Sequence, residues 1–232
     1  MSTDENADSN ESTSAQTDAQ SDARPRGNTG AKTAAGESCF AQLDQVLDAA
    51  GMSDPADRGQ VRAICKPVSF AQGASLHRAR EVADSVYFIH SGLVRFYYLT
   101  EDGREHNKSF ALEGQFAGAI QHTLQPAPSR FHIQALEPTA TLAISLQGLG
   151  TLYHQSLAWA NFGRLCMESL AVRKSKREAA FLLDSAEQRY QDFIHTEPEL
   201  VQRLPLYHVA SYLGITDVAL SRIRRRLKQG QL

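Results

Sequence analysis

The sequence predicts an α+β chain: a rolled antiparallel sheet, then a long helix, then an all-α helix-turn-helix at the C-terminus. Three observations carry that prediction. Short β-rich runs separated by turn residues fill positions 67–146. Leu157 to Leu183 follows with a helical pattern whose apolar members recur every seven residues. Leu206 to Arg226 then reads as a helix, a glycine turn and a second helix with an arginine cluster.

Taken in order, the first segment is different material from the rest. Residues 1–38 contain no Phe, Tyr, Trp, Leu, Ile or Val. Such a stretch cannot bury enough apolar area to offset chain entropy, so a disordered polar tail is expected. It has no basic start followed by an apolar core, so no export signal is expected. No run of 18 apolar residues occurs, so no membrane helix is expected. Three widely spaced cysteines, Cys39, Cys65 and Cys166, fit a reducing cytoplasm and not a disulfide framework.

Phe40 to Ala49 reads as a short amphipathic helix ended at Gly51, and Pro55 to Ile64 as a second. From Pro67 the period becomes that of strands. Ser85–Gly92 and Leu93–Leu99 are β-rich runs, and Glu101-Asp-Gly-Arg104 is a hairpin signal of the Asp-Gly type. Further strands are expected at Glu105–Leu112, Gln115–Ile120, Phe131–Leu136 and Thr139–Leu146. In the long helix Ala158, Phe162, Leu165, Ser169, Val172, Lys176, Ala179 and Leu183 alternate at spacings of four and three. That seam suits a second helix alongside, which favours self-association; a helix lying on its own sheet is the alternative. Ser185-Ala-Glu-Gln188 is a capping box that opens another helix, ending before Pro198.

The last forty residues carry the strongest signal. Val209 and Leu213 share a helical face, Gly214 breaks the helix, and Thr216 is placed to cap the next one. Leu220, Ile223 and Leu227 form one buried stripe, and Ala210 is small where the two helices cross. Net charge is only −2, but residues 201–232 hold six Lys/Arg against one acid, while residues 1–38 hold seven acids against three bases. Local charge governs association with phosphate, so double-stranded DNA is the expected partner. A merely solvated helix face is the alternative for the arginine cluster.

The strings Val86-Tyr-Phe-Ile-His-Ser-Gly92, Phe110-Ala-Leu-Glu-Gly-Gln-Phe-Ala-Gly118, Ser185-Ala-Glu-Gln-Arg-Tyr190 and Ala210-Ser-Tyr-Leu-Gly-Ile-Thr216 resemble the Crp–Fnr superfamily of transcription regulators over residues 40–228. The resemblance implies a cyclic-nucleotide-binding-like β-roll (double-stranded β-helix) as sensor over residues 39–156, a dimerisation helix over 157–184 and a winged-helix-like DNA-binding domain over 185–232. On it rest a homodimer, RNA polymerase as a further partner, and a dimer seam of Phe162, Leu165, Ser169, Val172, Ala179 and Leu183. It places DNA contacts at Thr216, Asp217, Val218, Ser221, Arg222, Arg224, Arg225 and Arg226. Arg222 is suited to guanine, because its fork donates two hydrogen bonds. Thr216, Arg224, Arg225 and Arg226 suit phosphates.

Two departures matter. Members that bind cyclic nucleotide have a glutamate for the ribose where this chain has Ala119, and Ser129-Arg130 is displaced by one residue from their arginine. An effector pocket at Gly118, Ala119, Ile120, Ser129 and Arg130 therefore points away from cyclic nucleotide, and no cofactor is predicted. In the recognition helix Val218 replaces the relatives' glutamate, which suits a thymine methyl and not cytosine. Only Lys228 to Leu232 follow the second helix, too few for a hairpin wing, so a wing is expected either upstream or not at all.

The cysteines do not supply the four clustered ligands of an iron–sulfur sensor. The eight histidines show no His-x-x-x-His spacing, so no metal site is expected. No phosphate loop, nucleophile elbow or carboxylate pair suggests an enzyme. A small-ligand sensor module with residual DNA binding is the second reading.

Overall fold

A computed structural model describes residues 32–119 and 127–230. Two helices, α1 (Lys32–Ala49) and α2 (Pro55–Ala63), precede eight strands. These are β1 (Cys65–Phe70), β2 (Ser75–His77), β3 (Ser85–Ser91), β4 (Val94–Leu99), β5 (Glu105–Ala111), β6 (Phe116–Ala117), β7 (His132–Ala135) and β8 (Thr139–Ser145). Six helices follow: α3 (Leu146–Gln155), α4 (Leu157–Leu183), α5 (Ala186–Thr196), α6 (Pro198–Arg203), α7 (Leu206–Leu213) and α8 (Asp217–Gln229).

The strands form two four-stranded antiparallel sheets, in the orders β1-β8-β3-β6 and β2-β7-β4-β5. Alternation along each strand sends one set of side chains inward. Leu76, Ile89, Val94, Phe96, Phe131 and Ile133 meet there as one core. The corner between β3 and β4 is Gly92, at φ +103°, where a Cβ would lie 2.5 Å from the Thr139 hydroxyl oxygen. Only glycine fits so tight a turn.

A second core joins the helices to the first sheet: Leu43, Leu47, Val61, Phe88, Leu142 and Trp159 are all almost fully buried in it. It anchors the start of α4, which Ser156 caps through the Trp159 amide. The third core is that of the C-terminal helices, with Tyr190, Phe193, Leu200, Val209, Leu213, Leu220 and Ile223, and it includes Leu93 and Leu112 from the sheet side.

Two sequence expectations change, and one helix is additional. The polar tail was expected to reach residue 38, but α1 already begins at Lys32. Alanine-rich Lys32–Gly36 propagates the helix backwards from buried Cys39 and Leu43, and Gly36 packs against Pro67. Residues 1–31 of that tail lie outside the described residues, as does Ile120 at the end of an expected strand. Between β8 and α4 the chain forms α3, capped by Ser145 onto the Gly148 amide; the strand reading had placed Leu146 in β8. A further short helix, α6, starts at Pro198, in a stretch to which the sequence assigns no element. The capping box at Ser185 is present in both halves, with Ser185 accepting from the Gln188 amide and Gln188 accepting from the Ser185 amide.

Candidate nucleic-acid interface

The interface is built by the crossing of α7 and α8. Val209, Ala210 and Leu213 on α7 face Leu220 and Ile223 on α8, each 4 % exposed or less. Gly214 ends α7 in the left-handed region, at φ +69°. The Ile215 amide then donates to the Ala210 carbonyl, closing the helix end. A Cβ at Gly214 would also sit 2.7 Å from the Phe181 ring of α4, so the turn is pressed against the long helix. Thr216 caps α8 by accepting from the Ala219 amide, and Asp217 in the first turn complements the helix dipole.

With its apolar stripe buried, α8 turns the rest of its surface outward. Asp217, Val218, Ser221, Arg222, Arg225 and Arg226 are exposed and Arg224 is half-buried. Arg226 pairs with Glu187 of α5 at 3.0 Å; among the described residues no other arginine of the cluster has an acidic partner. The sequence-derived set on α8 is thus brought together on one solvent-facing helix, with the exposed hydroxyl of Ser221 beside the exposed guanidinium of Arg222.

The α7 helix does the opposite. It lies on the free edge of β5, where unpaired strand groups need partners. The Ser211 hydroxyl accepts from the Asn107 amide at 2.9 Å and donates to the Glu105 carbonyl at 3.1 Å. The Asn107 side-chain amide lies 3.0 Å from both the carbonyl and Nδ1 of buried His208. Burial, and secondarily the Arg95 guanidinium, pushes the His208 ring down to about 4, so it is neutral there. At the end of α6, Arg203 forks onto both Glu113 and Glu137, from the loops after β5 and β7, with four contacts of 2.6–3.1 Å. These holding residues are absent from the sequence reading. The only signal available was His208 and Ser211 on an otherwise apolar helix.

The expected effector residues are not gathered in one place. Gly118 and Ala119 line a cleft between the sheet and α4, of about 730 Å³. Ser129 is 1 % exposed, and its hydroxyl is engaged with His77 Nε2 and the Phe131 carbonyl. Arg130 is exposed and does not line that cleft. Ile120 lies outside the described residues. Along α4, Leu165, Val172 and Leu183 are 46 %, 54 % and 81 % exposed, Ser169 and Ala179 are exposed, and Phe162 packs on Trp159 and Phe116. Among the described residues no helix is long and apolar enough to cross a membrane.

Residues 67–156 match the family model of the cyclic nucleotide-binding domain. The chain is 29 % identical over 178 residues to the nitrogen fixation regulation protein FixK of Rhizobium meliloti, covering 71 % of this chain and 76 % of that one. It is 28 % identical over 181 residues to the anaerobic regulatory protein of Haemophilus influenzae, covering 71 % and 66 %. Among solved structures, FixK2 of Bradyrhizobium japonicum superposes with a TM-score of 0.63 at 20 % identity, over 72 % of this chain and 86 % of that one.

Proposed function

The chain belongs to the Crp–Fnr superfamily of transcription regulators, and from that premise we propose that it acts as a homodimer reading a near-palindromic operator through α8. It is a DNA-binding regulator and not an enzyme. In this reading residues 39–156 are the sensor, 157–184 the dimerisation helix and 185–232 the DNA-binding domain. The observation that carries it is the exposure of Ser221 and Arg222 above a fully buried Leu220. An α8 seated in the major groove then turns Arg222 to a guanine edge and Val218 to a thymine methyl. Thr216, Arg224, Arg225 and Arg226 flank the groove and meet phosphates.

Dimerisation rests on the exposed row Leu165, Val172 and Leu183, which a second α4 would cover. A two-fold axis along α4 sets the two recognition helices about one DNA turn apart, roughly 34 Å. RNA polymerase as partner and a cytoplasmic site of action follow from the family resemblance. Replacing Arg222 with Ala is expected to weaken operator binding by about 1–3 kcal/mol while random duplex is bound as before. Fluorescence anisotropy on both duplexes at one salt concentration measures this. Equal losses on the two would remove Arg222 from base reading.

A further inference from the structure

The helix α8 and the first residues of the chain carry opposite charge that neither compensates locally. Several arginines elsewhere on the surface have acids beside them: Arg58 pairs with Asp48, Arg62 with Asp44, Arg104 with Asp102 and Arg164 with Glu168. On α8, Arg222, Arg224, Arg225, Arg226 and Lys228 stand against Asp217, and of these bases only Arg226 has an acidic partner among the described residues. Helical spacing places Arg222, Arg225 and Lys228 on the outer side, away from buried Leu220 and Ile223. The other basic run, on α4, is partly satisfied: Arg177 donates to the Tyr212 carbonyl at 2.8 Å and Glu197 lies near Arg173.

Residues 1–31 precede α1 and lie outside the described residues. Residues 1–23 hold Asp4, Glu5, Asp8, Glu11, Asp18 and Asp22 and no Lys or Arg. They include no aromatic residue and no Leu, Ile or Val that could anchor them in an apolar groove, so charge is what they offer a partner. A stretch of residues 1–31 spans at most about 100 Å, against a radius of gyration of about 16 Å for a folded body of this size, so α8 is within its reach. We propose that residues 1–23 lie along the exposed face of α8 and compete there with DNA, their carboxylates standing where phosphates would. This deepens the reading of α8 as the DNA-binding helix, and its consequence for regulation rests on that reading. One exposed ion pair contributes little, but attachment to the same chain supplies a local concentration in the millimolar range. At that concentration a contact with a Kd of about 0.1–0.5 mM weakens DNA binding by about three- to tenfold. The segment reads no bases, so operator and random duplex are weakened alike.

The test compares the full chain with a full-chain variant whose acidic segment is made neutral: Asp4→Asn, Glu5→Gln, Asp8→Asn, Glu11→Gln, Asp18→Asn and Asp22→Asn. Fluorescence anisotropy with a random-sequence duplex is read at roughly 50 and 200 mM salt, where the Debye length halves from about 14 to about 7 Å. The neutral variant is expected to bind about three- to tenfold more tightly at the lower salt, with a narrower gap at the higher. A second arm needs no DNA: a labelled peptide of residues 1–23 is titrated with the neutral variant. Saturable binding is expected, and Arg225→Ala together with Lys228→Ala should weaken it by about threefold or more while the thermal melt shows a folded protein. Equal duplex affinity of parent and neutral variant, or peptide binding that is absent or indifferent to Arg225 and Lys228, overturns the proposal. If neither full-length protein binds duplex, the operator reading fails, and the peptide arm still decides the contact.

Discussion

Asn107 and Lys108 are neighbours on one strand, both largely removed from water, yet their surroundings are opposite. Asn107 is 3 % exposed and gives its backbone amide to Ser211 and its side-chain amide to His208. Lys108 has ring faces and another lysine. A neutral polar group with partners inside the chain holds two parts of a fold together. A charge without such a partner weakens the fold. The contrast separates the contact that seats the helix-turn-helix on β5 from a lysine that has no acidic partner among the described residues.

Substitutions at the two positions should therefore move stability in opposite directions. Asn107→Ala removes the amide and strands groups of His208, and is expected to cost about 2–3 kcal/mol in urea unfolding. A neutral result would mean that α7 does not depend on this contact. The same contact gives a pH dependence. His208 folded titrates near 4, below the usual 6.5 of the unfolded chain, so the unfolded state takes up more protons between those values. Stability contributed here is intact above pH 6.5 and falls away as pH drops toward 4, by about 2 kcal/mol. His208→Asn should flatten that limb of the stability profile; an unchanged slope would point to other groups.

Lys108→Met is expected to raise stability by about 1–2 kcal/mol at pH 7, because it removes a desolvated charge and keeps the volume. The sign has a pH signature as well. Below about 8 the lysine is charged in both states and the full burial cost applies; between about 8 and 10.5 the folded state sheds the proton first, so the parent gains stability and the gap closes. A destabilised variant would show that the ammonium has a partner within the fold. The smallest effect belongs to Arg226, whose ion pair with Glu187 is largely exposed. Arg226→Ala should leave stability nearly unchanged and lower the salt slope of DNA binding by about one unit. An unaltered slope would remove its phosphate contact.

The legible parts of this molecule were those where local chemistry decides structure. Gly214, Thr216 and the stripe Leu220–Ile223 announce two crossed helices because caps and periodicity act within a few residues. The β3–β4 corner at Gly92 and the Ser185 capping box were readable for the same reason. Helix α3 was hidden because Gly148 and Gly150 weaken its helical pattern, although its cap Ser145 was in view. Lys108 was not legible at all. In sequence it is one lysine in a strand, ordinarily solvated, and only the bulge and the approach of α4 turn it inward. Arg203 was equally silent, since Glu113 and Glu137 lie 90 and 66 residues away. The exposed face of α8 was written locally, and the contacts that seat α6 and α7 on the sheet were written across distance.

The most direct measurement is the sequencing of DNA selected from a random pool by the purified full chain and by its Arg222→Ala variant, at one stated salt concentration. The account predicts a two-fold-symmetric motif for the parent, with a guanine preference in each half-site that the variant loses. An asymmetric or featureless pool from the parent, or the same motif from both proteins, would contradict it.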